Sequence, residues 1–269
     1  MALRRRRAGA KSSSVARAAR AALEEDRFRF DRTTSLVLHG RTPAEARVIA
    51  QASGRLSGMA PALACVRIGR LRIVRRLRDG GRLHRGTVVL VLRGDARRML
   101  GVERTLLNYL MHLSGIATTT AKAVERVRSA PRPPQIWATR KTTPGLRDLE
   151  KRAVVHGGGH PHRRDLSDAV LVKSNHLALV PLRPALARVR SPRGRTPRIE
   201  VEVRNVREAI AVARAGVSRL LIDNATPARA RAIVGALQRA GLRSGRWIEL
   251  SGGLTPQNVR AYAGVAPMR

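Results

Sequence analysis

Aromatic side chains are almost missing from this chain: Phe, Trp and Tyr occur twice each among 269 residues. That excludes recognition built mainly on base stacking and leaves Leu, Val, Ile and Ala to form the core. There is one cysteine, Cys65. An internal disulfide is therefore excluded, a reducing compartment is suggested, and Cys65, lying in an apolar run, reads as a buried thiol. No apolar run approaches the roughly 18 residues of a membrane-spanning helix, and no signal-peptide core is evident. The expected location is cytoplasmic, with no membrane partner.

Acids are scarce, 18 against 54 basic residues, for a formal charge of +36. Such a charge suits a polyanionic partner, either nucleic acid or a phosphorylated small molecule. The basic residues are spread over the whole chain, no nucleic-acid motif is present, and stacking aromatics are lacking. Nucleic acid is thus not the expected partner. Lysine is also rare. Only Lys11, Lys122, Lys141, Lys151 and Lys173 occur, the remaining 49 basic residues being arginine. Lysine is a compact point charge and arginine a planar fork, so lysines kept in an arginine-writing sequence are candidates for positions that arginine cannot fill.

What is present falls into three parts. Residues 1–14 read as a basic, disordered tail. Residues 15–130 begin with a helix over 15–26, continue as a small, mostly β layer over 34–94, and end in a long helical pattern. In that pattern Leu106, Leu110 and Leu113 share a face, with a possible break at Gly115. Residues 131–269 have a strand–loop–helix rhythm. "IWATR" (136–140), "AVLVK" (169–173), "RIEVEV" (198–203), "RLLID" (219–223) and "WIEL" (247–250) are candidate strands. Apolar strands alternating with helices predict parallel βα units.

Polar residues gather at the ends of those strands: Arg140 and Lys141, Lys173, Glu202, Asp223, and the turn Ser251–Gly252–Gly253. In a (β/α) barrel the strand C-termini form the active face. Glu202 and Asp223 sit among apolar neighbours, where an unpaired carboxylate is costly; together they suit Mg²⁺ or ribose hydroxyls. The glycine turn can offer N–H groups to a phosphate. After three glycines, His162 and Arg163 complete a basic cluster with Arg140, Lys141 and Lys173, fit for a small polyanion. A metal site on His156, His160 and His162 is the weaker alternative, because no cysteine or acid lies nearby in sequence. Lys151 reads as a helix-surface residue.

The segments "GDARRMLGVERTLLNYLMHLSGIATTT", "ATRKTTPGLRDLEKRAVVHGGGHPHR", "DAVLVKSNHLALV", "IEVEV", "LIDN" and "ELSGGLTPQNVRAYA" together resemble the quinolinate phosphoribosyltransferases. The resemblance runs from about Leu23 to Ala263. It implies an α/β fold: an N-terminal α/β sandwich domain followed by an incomplete (β/α) TIM-like barrel, in a homodimer or higher oligomer. It also implies transfer of phosphoribosyl from phosphoribosyl pyrophosphate to quinolinate with decarboxylation, giving nicotinate mononucleotide for NAD biosynthesis, with Mg²⁺. By resemblance, Arg104 (offered across the dimer interface), Arg140, His162, Arg163 and Lys173 bind quinolinate. Lys141, Ser251, Gly252 and Gly253 serve phosphoribosyl pyrophosphate, and Glu202 and Asp223 serve its ribose and Mg²⁺. The catalytic set is Lys141, Lys173, Glu202 and Asp223.

Two features depart from the pattern. Ser174 stands where the family has an acid, and the sequence stops soon after "NVRAYA", where relatives continue with another strand and helix. The alternatives are a related phosphoribosyltransferase, either the molybdenum-transport-associated paralogue or a nicotinate-specific enzyme, and an inactive, shortened remnant that binds polyanions.

Overall fold

The computed structural model describes residues 2–189 and 198–265. The chain forms two compact units, Met1–Ala121 with Trp137–Pro161, and Lys122–Ile136 with His162–Arg269. A single cut near residue 130 does not reproduce this division.

The first unit opens with α1 (Ala2–Glu25), which begins well before the helix expected at 15, over residues read from sequence as a disordered tail. Val15, Ala19 and Leu23 recur every four residues and are buried, as one face of a helix requires. After α2 (Arg32–Val37), β1 (Pro43–Ile49) pairs antiparallel with β5 (Val88–Asp95), which also pairs with β3 (Arg72–Arg76). The two-residue strands β2 (Gly54–Arg55) and β4 (Arg82–Leu83) pair separately. Between β2 and β3 lies α3 (Met59–Ile68), buried along most of its length, including Cys65, a helix within the segment expected to be mostly β. Next comes α4 (Ala96–Arg128), with Leu106, Leu110 and Leu113 buried as the periodicity predicts. The helix runs unbroken through Gly115. The last element of this unit is α5 (Arg147–His156).

The second unit contains four parallel strands in the order β6 (Val170–Val172), β7 (Ile199–Val203), β8 (Arg219–Asp223) and β9 (Trp247–Ser251). Between β6 and β7 lie α6 (Ser174–Leu179) and α7 (Leu182–Val189), while α8 (Val206–Arg214) and α9 (Pro227–Arg239) link the later strands. The helix starts are written locally. The Asn205 side chain accepts from the Glu208 N–H, and the Thr226 hydroxyl accepts from the Arg229 N–H ahead of a proline-led first turn, both ordinary N-caps. The segment "IWATR" is not a strand; it contributes one isolated bridge, Trp137 to His160.

The register of the sheet decides where side chains go. Val172, Val201, Leu220 and Ile248 lie side by side and belong, with Val203, Ile222, Ala230, Ile233 and Leu237, to the core shared with the helices. Because a strand alternates faces, the residues between them point to the other side: Glu200 and Glu202, Leu221 and Asp223, Glu249 and Ser251. One face of the sheet is thus hydrocarbon and the other carries the chemistry.

Candidate active site

Arg104, Arg140 and Lys141 belong to the first unit; His162, Arg163, Lys173, Glu202, Asp223 and Ser251–Gly253 belong to the second. In the first unit, Arg104 is exposed on α4. Arg140 and Lys141 lie on a loop folded against the start of α5. The Lys141 N–H donates to Thr139 Oγ1, Arg147 Nε to Thr142 Oγ1, and the Thr143 N–H to Glu150 Oε2. Glu150 is buried and also receives His112 Nε2 at 2.9 Å. Burial alone would raise its pKa, but the bonds from His112 and Thr143 outweigh that and hold it below the usual range. Glu150 therefore anchors the loop as an anion. Lys141 itself is exposed, while Arg140 is half-buried, with a buried Nε that has no hydrogen-bond partner among the described residues.

Lys151, expected on the helix surface, is buried, and its ammonium donates to the Pro161 carbonyl. One of the glycines before His162 is required by packing. Gly157 closes α5 against α4, where a Cβ would collide with Thr120 and the Ala117 carbonyl. The three histidines around them go to separate partners: His156 Nδ1 to the Ser57 hydroxyl at 2.8 Å, the His160 ring onto Trp137, and His162 to acids.

In the second unit, Lys173 follows β6 directly and is exposed. Ser174, one residue on, donates both its N–H and its hydroxyl to Glu202 Oε1, at 3.3 and 2.8 Å. Asp223, at the end of β8, receives Asn224 Nδ2 at 2.8 Å. Asn224 in turn donates its backbone N–H to the Ser251 carbonyl. Gly252 passes so close that a Cβ would lie 2.8 Å from the Asn224 nitrogen, and both Gly252 and Gly253 have positive φ. The "LIDN" and "SGG" segments are therefore fitted to each other, and glycine is needed at 252 for space as well as for backbone angle.

Two residues of this face were passed over in the sequence. Glu200 and Glu249 converge on His162, whose Nε2 lies 3.2 Å from Glu249 Oε2 and 3.7 Å from Glu200 Oε2. Burial first, and the nearby Glu249 charge second, push the Glu200 carboxyl up to about 7. The signal was present as a two-residue period: Glu200 precedes Glu202 by two, and Glu249 precedes Ser251 by two. Among the described residues, these three form the cluster whose ligand atoms are close enough to share a cation.

Oxygen donors at strand C-termini suit Mg²⁺, which takes one or two carboxylates and keeps several waters. Glu202 and Asp223 fit that demand. Among the described residues, their hydrogen bonds to Ser174 and Asn224 use one oxygen each, Glu202 Oε1 and Asp223 Oδ2.

The chain is similar to known proteins over most of its length. The model of the quinolinate phosphoribosyl transferase N-terminal domain matches residues 31–114, and that of the C-terminal domain matches residues 116–266. A probable carboxylating nicotinate-nucleotide pyrophosphorylase of Methanothermobacter thermautotrophicus is 40% identical over 234 residues, covering 87% of this chain and 84% of the relative. The carboxylating nicotinate-nucleotide pyrophosphorylase of Mycobacterium leprae is 36% identical, covering 91% and 87%. Among solved structures, the nicotinate-nucleotide pyrophosphorylase of Francisella tularensis superposes with a TM-score of 0.83 at 28% identity, over 95% of this chain and 88% of that one. NadC from Streptococcus pyogenes gives 0.81 at 33%, over 92% and 87%. With both domain models matched in order over most of its length, the chain belongs to the quinolinate phosphoribosyl transferase family.

Proposed function

We propose that this protein transfers the phosphoribosyl group of phosphoribosyl pyrophosphate to the nitrogen of quinolinate, with release of pyrophosphate and CO₂ and formation of nicotinate mononucleotide. The observation that carries the reading is the one-sided sheet, in which Glu202, Asp223 and Ser251 share a face at the C-terminal end of the parallel strands, with Lys173 directly after β6. Acceptor and donor are both polyanions, so cations must dominate their binding. Arg163 and Lys173 of the second unit take carboxylate charge of quinolinate, with Arg104 presented to a second copy in a homodimer.

The chemistry asks mainly for positioning and electrostatics. The pyridine nitrogen forms a bond to ribose C1′ as the bond from C1′ to the pyrophosphate oxygen breaks. Glu202 and Asp223 face the positive charge that develops on the ribose ring and hold its hydroxyls. Glu202 and Asp223 are also the residues that would hold a Mg²⁺ ion, which would supply charge neutralisation for the departing pyrophosphate. The turn at Ser251–Gly253 offers N–H groups to the 5′-phosphate. Once the ring nitrogen is quaternary it accepts the electron pair left by CO₂, and the ring carbon then takes a proton. On this reading the reaction belongs in the cytoplasm.

The test is nicotinate mononucleotide formation by the purified 269-residue chain with Mg²⁺ and phosphoribosyl pyrophosphate, with quinolinate and nicotinate compared as acceptors. Turnover with quinolinate and release of one CO₂ per product are expected. Turnover with nicotinate alone would overturn the acceptor assignment, and turnover with neither would overturn the activity.

A further inference from the structure

Five arginines and one aspartate line a cavity of about 830 Å³ in the first unit. They come from four separate stretches. Arg29 follows α1, Arg41 precedes β1, Arg70 follows α3, and Asp95, Arg97 and Arg98 span the junction of β5 and α4. None of the five guanidinium groups has an ion pair or hydrogen bond among the described residues; Arg29 lies over the Phe28 ring, 5.3 Å from its centroid. The Asp95 carboxylate is turned to backbone instead, its Oδ1 accepting the Arg97 N–H at 3.0 Å and its Oδ2 the Thr42 N–H at 3.3 Å. The start of α4 also forms part of this wall, and its positive helix end adds to the charge.

Arg70 is kept against a local preference. At the end of α3 its N–H donates to the Arg67 carbonyl, and the Leu71 N–H donates to the Val66 carbonyl, both at 3.0 Å. A helix closed in this way takes glycine or asparagine at the left-handed position, and here that position is Arg70, with φ 53°. A Cβ is strained there, so glycine would serve the helix end better. Like charges gathered from such distant points also repel one another unless an anion lies among them. We propose that this cavity binds a short polyphosphate chain, carried free or on a nucleoside, at a site that shares no residue with the proposed active site. Guanidinium groups pair with phosphate oxygens bidentately, and a single phosphate carries too little charge for five of them. A nucleic-acid strand would call for stacking platforms, whereas Phe28 is the one aromatic in the lining and Arg29 lies over it.

The test is calorimetric titration of the purified 269-residue chain with inorganic triphosphate, with thermal melts to check the folding of each variant. Arg70→Gly is expected to melt no lower than wild type, because glycine suits the left-handed helix end, yet to bind triphosphate about fivefold or more weakly. Arg41→Ser with Arg98→Ser should weaken binding about tenfold or more. Arg207→Ser with Arg214→Ser removes the same charge from the exposed side of α8 in the second unit. That control should stay within about twofold of wild type, since distant surface charges are screened. A nucleoside triphosphate is titrated in parallel. Tighter binding than the inorganic chain identifies a nucleotide ligand, and equal or weaker binding a free chain; both keep the proposal. Absence of triphosphate binding to wild type overturns it. Equal loss in the α8 pair and the cavity pair also does, by showing general attraction to a basic chain. So does a loss in Lys141→Ala and Lys173→Ala that Arg70→Gly does not share, which would put the triphosphate in the active site. Tighter binding of a single-stranded oligonucleotide than of triphosphate overturns it in favour of nucleic acid. If the cavity pair fails to fold, Arg70→Gly carries the comparison, and an unchanged affinity in it overturns the proposal.

Discussion

The Ser174 hydroxyl donates to Glu202 Oε1 at 2.8 Å, and the Ser174 backbone N–H points to the same oxygen. The residue that departs from the family pattern is thus bonded to a carboxylate of the proposed ribose and Mg²⁺ site. A hydrogen bond to a charged acceptor contributes about 1.5–3 kcal/mol. Ser174→Ala leaves the backbone bond and removes the hydroxyl one, freeing Glu202 to rotate. Its kcat/KM for phosphoribosyl pyrophosphate should fall about tenfold or somewhat more, while quinolinate KM stays near the wild-type value. Steady-state kinetics varying each substrate in turn would check this; equal losses in both would show that Glu202 is not held for the donor.

Lys173 lies at the end of β6, exposed and outside the hydrocarbon core. Removing it should cost little stability. Lys173→Ala is expected to melt within a degree or two of wild type yet lose about 10²-fold or more in turnover, the scale for a lost charge-stabilising contact. Lys173→Arg should not restore the rate, since a planar fork does not replace a compact ammonium. Thermal melts and single-turnover product formation decide both points, and an active Lys173→Ala enzyme would remove Lys173 from the site.

The fit between Gly252 and Asn224 separates two glycines that look alike in sequence. Gly252→Ala forces a Cβ against the Asn224 nitrogen at a φ of 86°, and should cost roughly 1–3 kcal/mol along with most of the activity. At Gly253, φ is 64° with no atom within 4 Å of a Cβ. Asn tolerates that angle, so Gly253→Asn should keep the fold, and only its affinity for phosphoribosyl pyrophosphate should drop. Denaturant melts of the two variants side by side would show the contrast.

The two faces of the sheet were readable in part from the sequence. Apolar residues at alternate positions put Val201, Val203, Leu220 and Ile222 on the helix side, so Glu202 and Asp223 had to face away from it. The lysine count also helped, but only in part. Lys141 and Lys173 are exposed at a loop and a strand end, whereas Lys151 is buried, because its partner is a backbone carbonyl ten residues away that no local pattern announces. For the same reason Glu200 and Glu249 escaped notice: they are joined through His162, far away in sequence, and Ile199 and Val201, which flank Glu200, looked like plain core. "IWATR" looked like a strand because its composition is right, but it makes only one bridge, to His160, and strands exist by their partners. Gly115 looked like a break, but the helix is buried on either side of it, at Leu113 and Ala117, and such packing overrides one glycine's cost of about 1 kcal/mol.

Glu200 makes stability depend on pH in a direction opposite to that of most carboxylates. Its carboxyl is pushed from an ordinary 4.5 up to about 7, by burial first and by Glu249 second. Between those values the folded chain keeps a proton that the unfolded chain has already lost, so stability falls as pH rises through that window. Below about 4.5 both states are protonated and the cost vanishes; above about 7 it is complete, on the order of 3 kcal/mol. Glu200→Gln removes the charge and keeps the shape. It should therefore be more stable than wild type at pH 8 and no more stable at pH 5. Urea melts of both proteins at the two pH values isolate the effect, because every other titrating group is common to both. An equal difference at pH 5 and pH 8 would mean that Glu200 stays ionised in the folded protein, held so by Arg219 and Arg163, cations that oppose the upward shift.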